Sequence, residues 1–162
     1  MFLRKLILFL LGLTPKMENE RSDIKIEHIR GKHLNESKSP TYDKILIVDD
    51  VPRYAQASLA TIKDHFVAEK LTVYLAYSYA AAKQVFNDHD IKLVVLDCDL
   101  SDEDGNGEML AREFIKKKSS VKILANSSRS KFNKRLLDAG AIESINKNPK
   151  RFLRWLKINC RC

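Results

Sequence analysis

The segment Leu93–Leu100 constrains this chain more than any other. Leu93, Val94, Val95 and Leu96 run without interruption into Asp97. A short apolar run rich in β-branched residues fits a strand covered on both faces, as in a parallel sheet. Its C-terminal end then delivers a single carboxylate to the rim of the sheet. In open α/β sheets, ligands bind outside the carboxyl ends of the strands, so Asp97 stands where a working residue belongs. Cys98 follows on the opposite face of the strand and points into packing, which makes it inert.

The same grammar repeats along the chain. Lys44–Val48 reads as a buried strand ending in Asp49 and Asp50. A helical stretch follows from about Tyr54 to Ala68. Leu71–Tyr77 is a second strand, and Ser78 is an N-cap for a helix to about Asn87. Lys92–Asp97 is the third strand. Asn106–Lys118 is helical, with Met109, Leu110 and Phe114 on one face. Val121–Asn126 is the fourth strand, and Ser130–Ala139 is a helix closed by Gly140 at its C′ position. Ala141–Asn146 is the fifth strand. Arg151–Ile158 is a last helix, with Phe152, Trp155 and Leu156 facing a core. Parallel neighbours need crossover helices, so this alternation predicts an α/β fold, a doubly wound five-stranded parallel sheet over residues 44–162.

Ahead of it lie an apolar segment and a polar linker, residues 1–43. Met1–Leu13 is strongly apolar with Arg4 and Lys5 near its start, too short to span a bilayer comfortably. Thr14, Pro15 and Lys16 make a poor signal-cleavage site. Apolar residues surround the helix it would form instead of making one stripe. We read it as a loosely membrane-associated or partner-binding segment; a mis-assigned start codon is the bland alternative. Residues 16–43 are polar and mixed in charge, as a linker is; a short strand or helix around Ile24–Ile29 stays open.

The net charge of +8 sits mostly at the C-terminal end, where residues 147–162 hold 6 basic residues and no acid. Residues 44–146 hold 15 of each sign. A solvated helix end explains this better than a nucleic-acid surface, and no direct nucleic-acid binding is expected. Three cysteines, Cys98, Cys160 and Cys162, imply no disulfide framework and fit a reducing cytoplasm. Cys160 and Cys162 are wrongly spaced for a zinc site. His28, His33, His65 and His89 show no ligand spacing and read as surface residues.

The strand ends converge on one chemistry. Strand one offers Asp49 and Asp50, strand three Asp97 with Asp99 close behind, strand four Ser127 and Ser128, strand five Lys147. Crowded carboxylates repel unless a cation lies between them, and hard oxygen donors on short loops suit Mg²⁺. A carboxylate can also attack phosphorus, giving an aspartyl phosphate. Phosphoryl transfer needs charge neutralisation and positioning more than a general base, and Mg²⁺, Lys147 and Ser127 would supply both. Blander readings stand beside these. Asp102 and Glu103 are an acidic surface loop, and Asp104 with Gly105 is a turn. Ser127 is either a site hydroxyl or the cap of the next helix, a job open also to Ser128 or Ser130. Lys147 could be a solvated lysine, but its place at a strand end favours the site.

These residues resemble the receiver domains of two-component response regulators, the CheY-like family, over Lys44 to about Ile158. Asp49 and Asp50 match the acidic pair and Asp97 the phosphoacceptor. Asp99 matches the position whose backbone carbonyl binds the metal. Asp104 and Gly105 fall where the family usually has Asp-Gly. Ser127 matches the hydroxyl residue and Lys147 the strand-five lysine. The resemblance implies flavodoxin-like strand order 2-1-3-4-5, a metal site of Asp49, Asp50, Asp97 and the Asp99 carbonyl, and Mg²⁺ as cofactor. It further implies a histidine kinase or phosphotransfer protein as donor in a phosphorelay. Self-dephosphorylation would be slow, so the chain is a signalling domain and not an enzyme in the ordinary sense. Three positions depart from the pattern. Asn148 stands between Lys147 and Pro149, where a cis Lys-Pro bond is usual. Ser144 occupies a position that is often aromatic and rotates on activation, and Ser101 one that is often proline.

Three functions compete. The leading one is a stand-alone, cytoplasmic receiver acting by contact with a downstream protein, since only 16 residues follow the last strand. A phosphorylation-independent pseudo-receiver is the second, motivated by the departures. The third is a haloacid-dehalogenase-type phosphatase. Asp97 and Asp99 resemble its Asp-x-Asp start, but there the motif lies on the first strand and an acidic pair follows it. If Met1–Leu13 is an anchor, deleting residues 1–15 moves the protein out of the membrane fraction; unaltered fractionation refutes it.

Overall fold

The computed structural model describes residues 23–29, 41–66, 71–101 and 103–160. Its elements in chain order are β1 (Ile24–Ile29), β2 (Lys44–Val48), α1 (Pro52–His65), β3 (Leu71–Ala76), α2 (Tyr79–Asp88), β4 (Leu93–Leu96), α3 (Gly107–Lys117), β5 (Lys122–Ala125), α4 (Ser130–Asp138), β6 (Glu143–Ser144) and α5 (Pro149–Asn159). The apolar segment Met1–Leu13 lies outside the described residues. No described helix is long and apolar enough to cross a membrane.

The sheet order is β1-β3-β2-β4-β5-β6. The last five strands are mutually parallel and adopt the expected flavodoxin-like order. A sixth strand lies beyond the five expected. Residues Ile24–Ile29, where the sequence leaves a short strand or helix open within the linker, pair antiparallel with β3, from Ile24 opposite Ala76 to Ile29 opposite Leu71. Its two ends anchor it on opposite faces of the sheet: Ile29 is buried in the core under α1 and α5, and Ile24 packs against the other core.

Alternation also sorts the central strands. Leu46, Val48, Val94, Leu96, Ile123 and Ala125 pack under α2, α3 and α4. Ile45, Ile47, Leu93, Val95 and Leu124 pack under α1 and α5, against Ile62, Phe152, Trp155 and Leu156. The stripe on α5 is therefore core, as expected. On α3, Leu110, Ala111 and Phe114 form the buried face, and Met109, expected among them, is exposed.

Local signals set most boundaries. The Ser78 hydroxyl accepts the Ala81 N–H, and the Asn106 side chain accepts the Met109 N–H. Prolines fix φ at the first turns of α1 and α5, so both helices start earlier than expected. Gly140, at φ +106°, closes the end of α4. Strand β6 contracts to two residues because the chain turns at Asn146 and Lys147, both with positive φ.

The stacked rings of Phe86 and Phe114, with centroids 3.9 Å apart, join α2 to α3. Phe114 is buried, so Phe114→Ala should cost about 3–5 kcal/mol in urea unfolding. A loss below about 1 kcal/mol would refute this packing role.

Candidate functional site

The strand tips meet because the sheet ladder continues one residue past each strand. The Asp49 N–H donates to the Ala76 carbonyl at 3.2 Å, and the Asp97 N–H to the Val48 carbonyl at 2.9 Å. The Asn126 N–H donates to the Leu96 carbonyl at 2.8 Å. Asp49, Asp97, Asn126 and Ser127 are buried along one rim, although they are polar.

Asp97 is held by both carboxylate oxygens. Its Oδ1 accepts the Cys98 N–H at 2.6 Å, the Asp99 N–H at 3.3 Å and the Ser127 hydroxyl. The Ser127 Oγ in turn accepts the Cys98 N–H at 2.9 Å. Asp97 Oδ2 lies 2.5 Å from Lys147 Nζ, which also lies 2.7 Å from Asp49 Oδ2. One ammonium therefore bridges two strand tips. Nζ sits 4.0 Å from the centre of the Tyr54 ring, a cation–π contact that shields it. Lys147 adopts φ +49° and Asn146 φ +55°, and the Lys147 N–H donates to Asn126 Oδ1 at 2.8 Å. That turn aims the side chain inwards.

Of the expected residues, Asp49, Asp50, Asp97, Ser127 and Lys147 lie together. Carboxylate oxygens of Asp49, Asp50 and Asp97 fall within 4.8 Å of one another. Ser127 is at the site and does not cap α4, whose N-cap is Arg129 without a side-chain bond. The Asp99 side chain is exposed and outside the carboxylate group. Cys98 is buried in packing, as expected, and burial pushes its thiol pKa up.

Four neighbours escaped sequence reasoning. Asn126 looked like the last residue of a strand, and Tyr54 like an ordinary helical residue. Asn133 lies three residues before Leu136 on the buried face of α4; a polar residue on an apolar stripe was its signal. Gly107 donates its N–H to the Cys98 carbonyl at 2.9 Å. A Cβ there would stand 1.9 Å from the Asp97 carbonyl oxygen, so only glycine fits.

The departures have backbone reasons. Ser101 has φ +46°, which proline cannot adopt. Asn148 accepts the Lys150 and Arg151 N–H groups as N-cap of α5, with Pro149 at its start. No cis peptide occurs among the described residues. The Ser144 hydroxyl bonds Asn146 Oδ1.

The charges are mismatched: three carboxylates face one ammonium. Hard oxygen donors with that surplus suit a divalent cation such as Mg²⁺. Burial raises the Asp49 carboxyl from 3.8 to about 6, against the opposing pull of Lys147. Burial works to lower the Lys147 ammonium, but its bonds to Asp49 and Asp97 outweigh it and raise the pKa. Between the unfolded value of 3.8 and the folded value of about 6, native Asp49 keeps a proton that the unfolded chain has lost. Its contribution to stability therefore falls as pH rises through that window and is level above it. In urea unfolding without metal, Asp49→Asn should gain stability relative to the wild type between those pH values. A difference that does not change with pH refutes this.

Comparison with known proteins agrees with this architecture. The response regulator receiver domain family matches residues 45–154. No curated protein matches the chain. Among solved structures, the receiver domain of NtrX from Brucella abortus is similar at 21% identity and TM-score 0.61, covering 70% of this chain and 95% of that one. A CheY-like receiver protein from Methanospirillum hungatei is similar at 22% identity and TM-score 0.58, covering 73% and 93%. A response regulator from Burkholderia pseudomallei, solved with a phosphorylated aspartic acid and a calcium ion, is similar at 15% identity and TM-score 0.52, covering 63% and 58%. These identities speak to fold alone; the family match spans most of the sequence, and the chain belongs to the response regulator receiver domain family.

Proposed function

We propose that Asp97 accepts a phosphoryl group from the phosphohistidine of a histidine kinase or phosphotransfer protein, and that the chain then signals by contact with a downstream protein. The observation that carries this is the two-sided grip on Asp97. Lys147 bridges it to Asp49 while Ser127 and two backbone N–H groups hold the other oxygen. The Burkholderia regulator, with its phosphorylated aspartate, shares this fold and lends support.

In the transfer, an Asp97 carboxylate oxygen forms the new O–P bond. The N–P bond of phosphohistidine breaks, and its electron pair returns to the imidazole nitrogen, which then takes up a proton. The Lys147 ammonium neutralises charge on the phosphoryl oxygens, and the Ser127 hydroxyl donates to one of them. Asp49, Asp50, Asp97 and the Asp99 carbonyl would hold Mg²⁺, which supplies further charge neutralisation when bound. Burial of Asp97 and Ser127 restricts water and slows loss of the phosphoryl group.

Incubation with acetyl phosphate and Mg²⁺ followed by intact-mass measurement tests this. One phosphoryl group per chain is expected, abolished by Asp97→Asn and, for the metal-dependent labelling, by Asp50→Ala. An unlabelled wild type overturns the proposal in favour of a phosphorylation-independent module, and sustained phosphate release from many substrates would point to a phosphatase.

A further inference from the structure

Asn133 makes a set of bonds that the transfer chemistry does not use. Its side chain is 3% exposed, on α4. The Oδ1 accepts the Ser127 N–H at 2.8 Å. The Nδ2 donates to the Ser127 carbonyl at 2.7 Å, to Asn146 Oδ1 at 2.8 Å and, at 3.4 Å, to the Arg129 carbonyl. Asn146 Oδ1 also accepts the Ser144 hydroxyl. One buried amide thus clamps both backbone groups of Ser127 and grips the turn that carries Lys147.

We propose that Asn133 is a positioning residue that couples Ser127 to β6, so that the state of Asp97 reaches Ser144 through a polar relay of side-chain amides. The proposal rests on the reading of Asp97 as phosphoacceptor. A phosphoryl group on Asp97 adds negative charge and acceptor oxygens beside the Ser127 hydroxyl. A hydroxyl that turns towards them draws its backbone with it. Both backbone groups of Ser127 end on Asn133, and leaving either unpaired in a buried site is costly. Asn133 therefore follows Ser127, and its Nδ2 carries the displacement to Asn146 and on to Ser144. A serine at position 144 has no ring to swing between pockets. It has a hydroxyl, and that hydroxyl is joined to the relay.

The test uses ¹⁵N-labelled full chain with Mg²⁺ and beryllofluoride, a phosphoryl mimic, and follows the amide resonances of Ser127, Ser144 and Ile145. In the wild type all three shift. In Asn133→Leu, Ser127 still shifts and the responses of Ser144 and Ile145 are lost. Asn146→Gly, which keeps the positive-φ turn and the clamp on Ser127, loses the same responses and decides the matter if the leucine variant does not fold. A wild-type response at Ser144 in either folded variant overturns the relay. A wild type that shifts at Ser127 but not at Ser144 also overturns it and leaves the phosphoacceptor reading intact. A wild type with no response at Ser127 overturns both.

Discussion

The ion bridge from Lys147 to Asp49 and Asp97 is the interaction on which the rest of the site depends. All three groups are nearly withdrawn from water, where an isolated charge is costly unless it is paired and hydrogen-bonded. Each therefore requires the others. The left-handed turn at Asn146 and Lys147 exists in order to bring a cation from the sheet edge to its middle. Asn126, which receives the Lys147 N–H, and Tyr54, whose ring lies against the ammonium, hold that turn and that side chain in place.

The sheet makes the convergence cheap in conformational terms. Central strands buried on both faces leave no choice of register, because a one-residue slip would exchange the two cores. Once Val48, Leu96 and Ala125 are fixed in those cores, Asp49, Asp97 and Asn126 follow at adjacent tips. The rim groups are thus carried on the ends of buried strands, and the chain after Asp97 leads on to α3. There Gly107 allows a helix start to press against the Asp97 carbonyl.

Where the chain departs from its family, the cause is local backbone geometry. Ser101 occupies a positive-φ position closed to proline. Asn148 supplies an N-cap in place of a proline after the lysine, and Pro149 opens the helix one residue later. Neither change disturbs the Lys147 bridge. The serine at 144 is tied to the same turn, its hydroxyl bonded to Asn146 Oδ1.

Much of this was legible in one dimension. Unbroken apolar runs of four residues, 45–48 and 93–96, end at Asp49 and Asp97 and specify both the strands and the rim residues, because strand burial depends on a local pattern and the charged residue must lie where that pattern stops. Ser127 and Lys147 follow shorter, interrupted apolar stretches. The cap at Ser78 and the close at Gly140 are local too. Tertiary structure alone decided the rest. Ile24–Ile29 becomes a strand only because β3 offers it an edge, and Met109 lies off the stripe of Gly107, Leu110, Ala111 and Phe114 that α3 buries. The roles of Asn126, Asn133 and Tyr54 rest on partners far away in sequence, such as Asn146 for Asn133. A hydrogen bond between distant segments has no periodic signature, so it becomes visible only when the packed elements bring its two ends together.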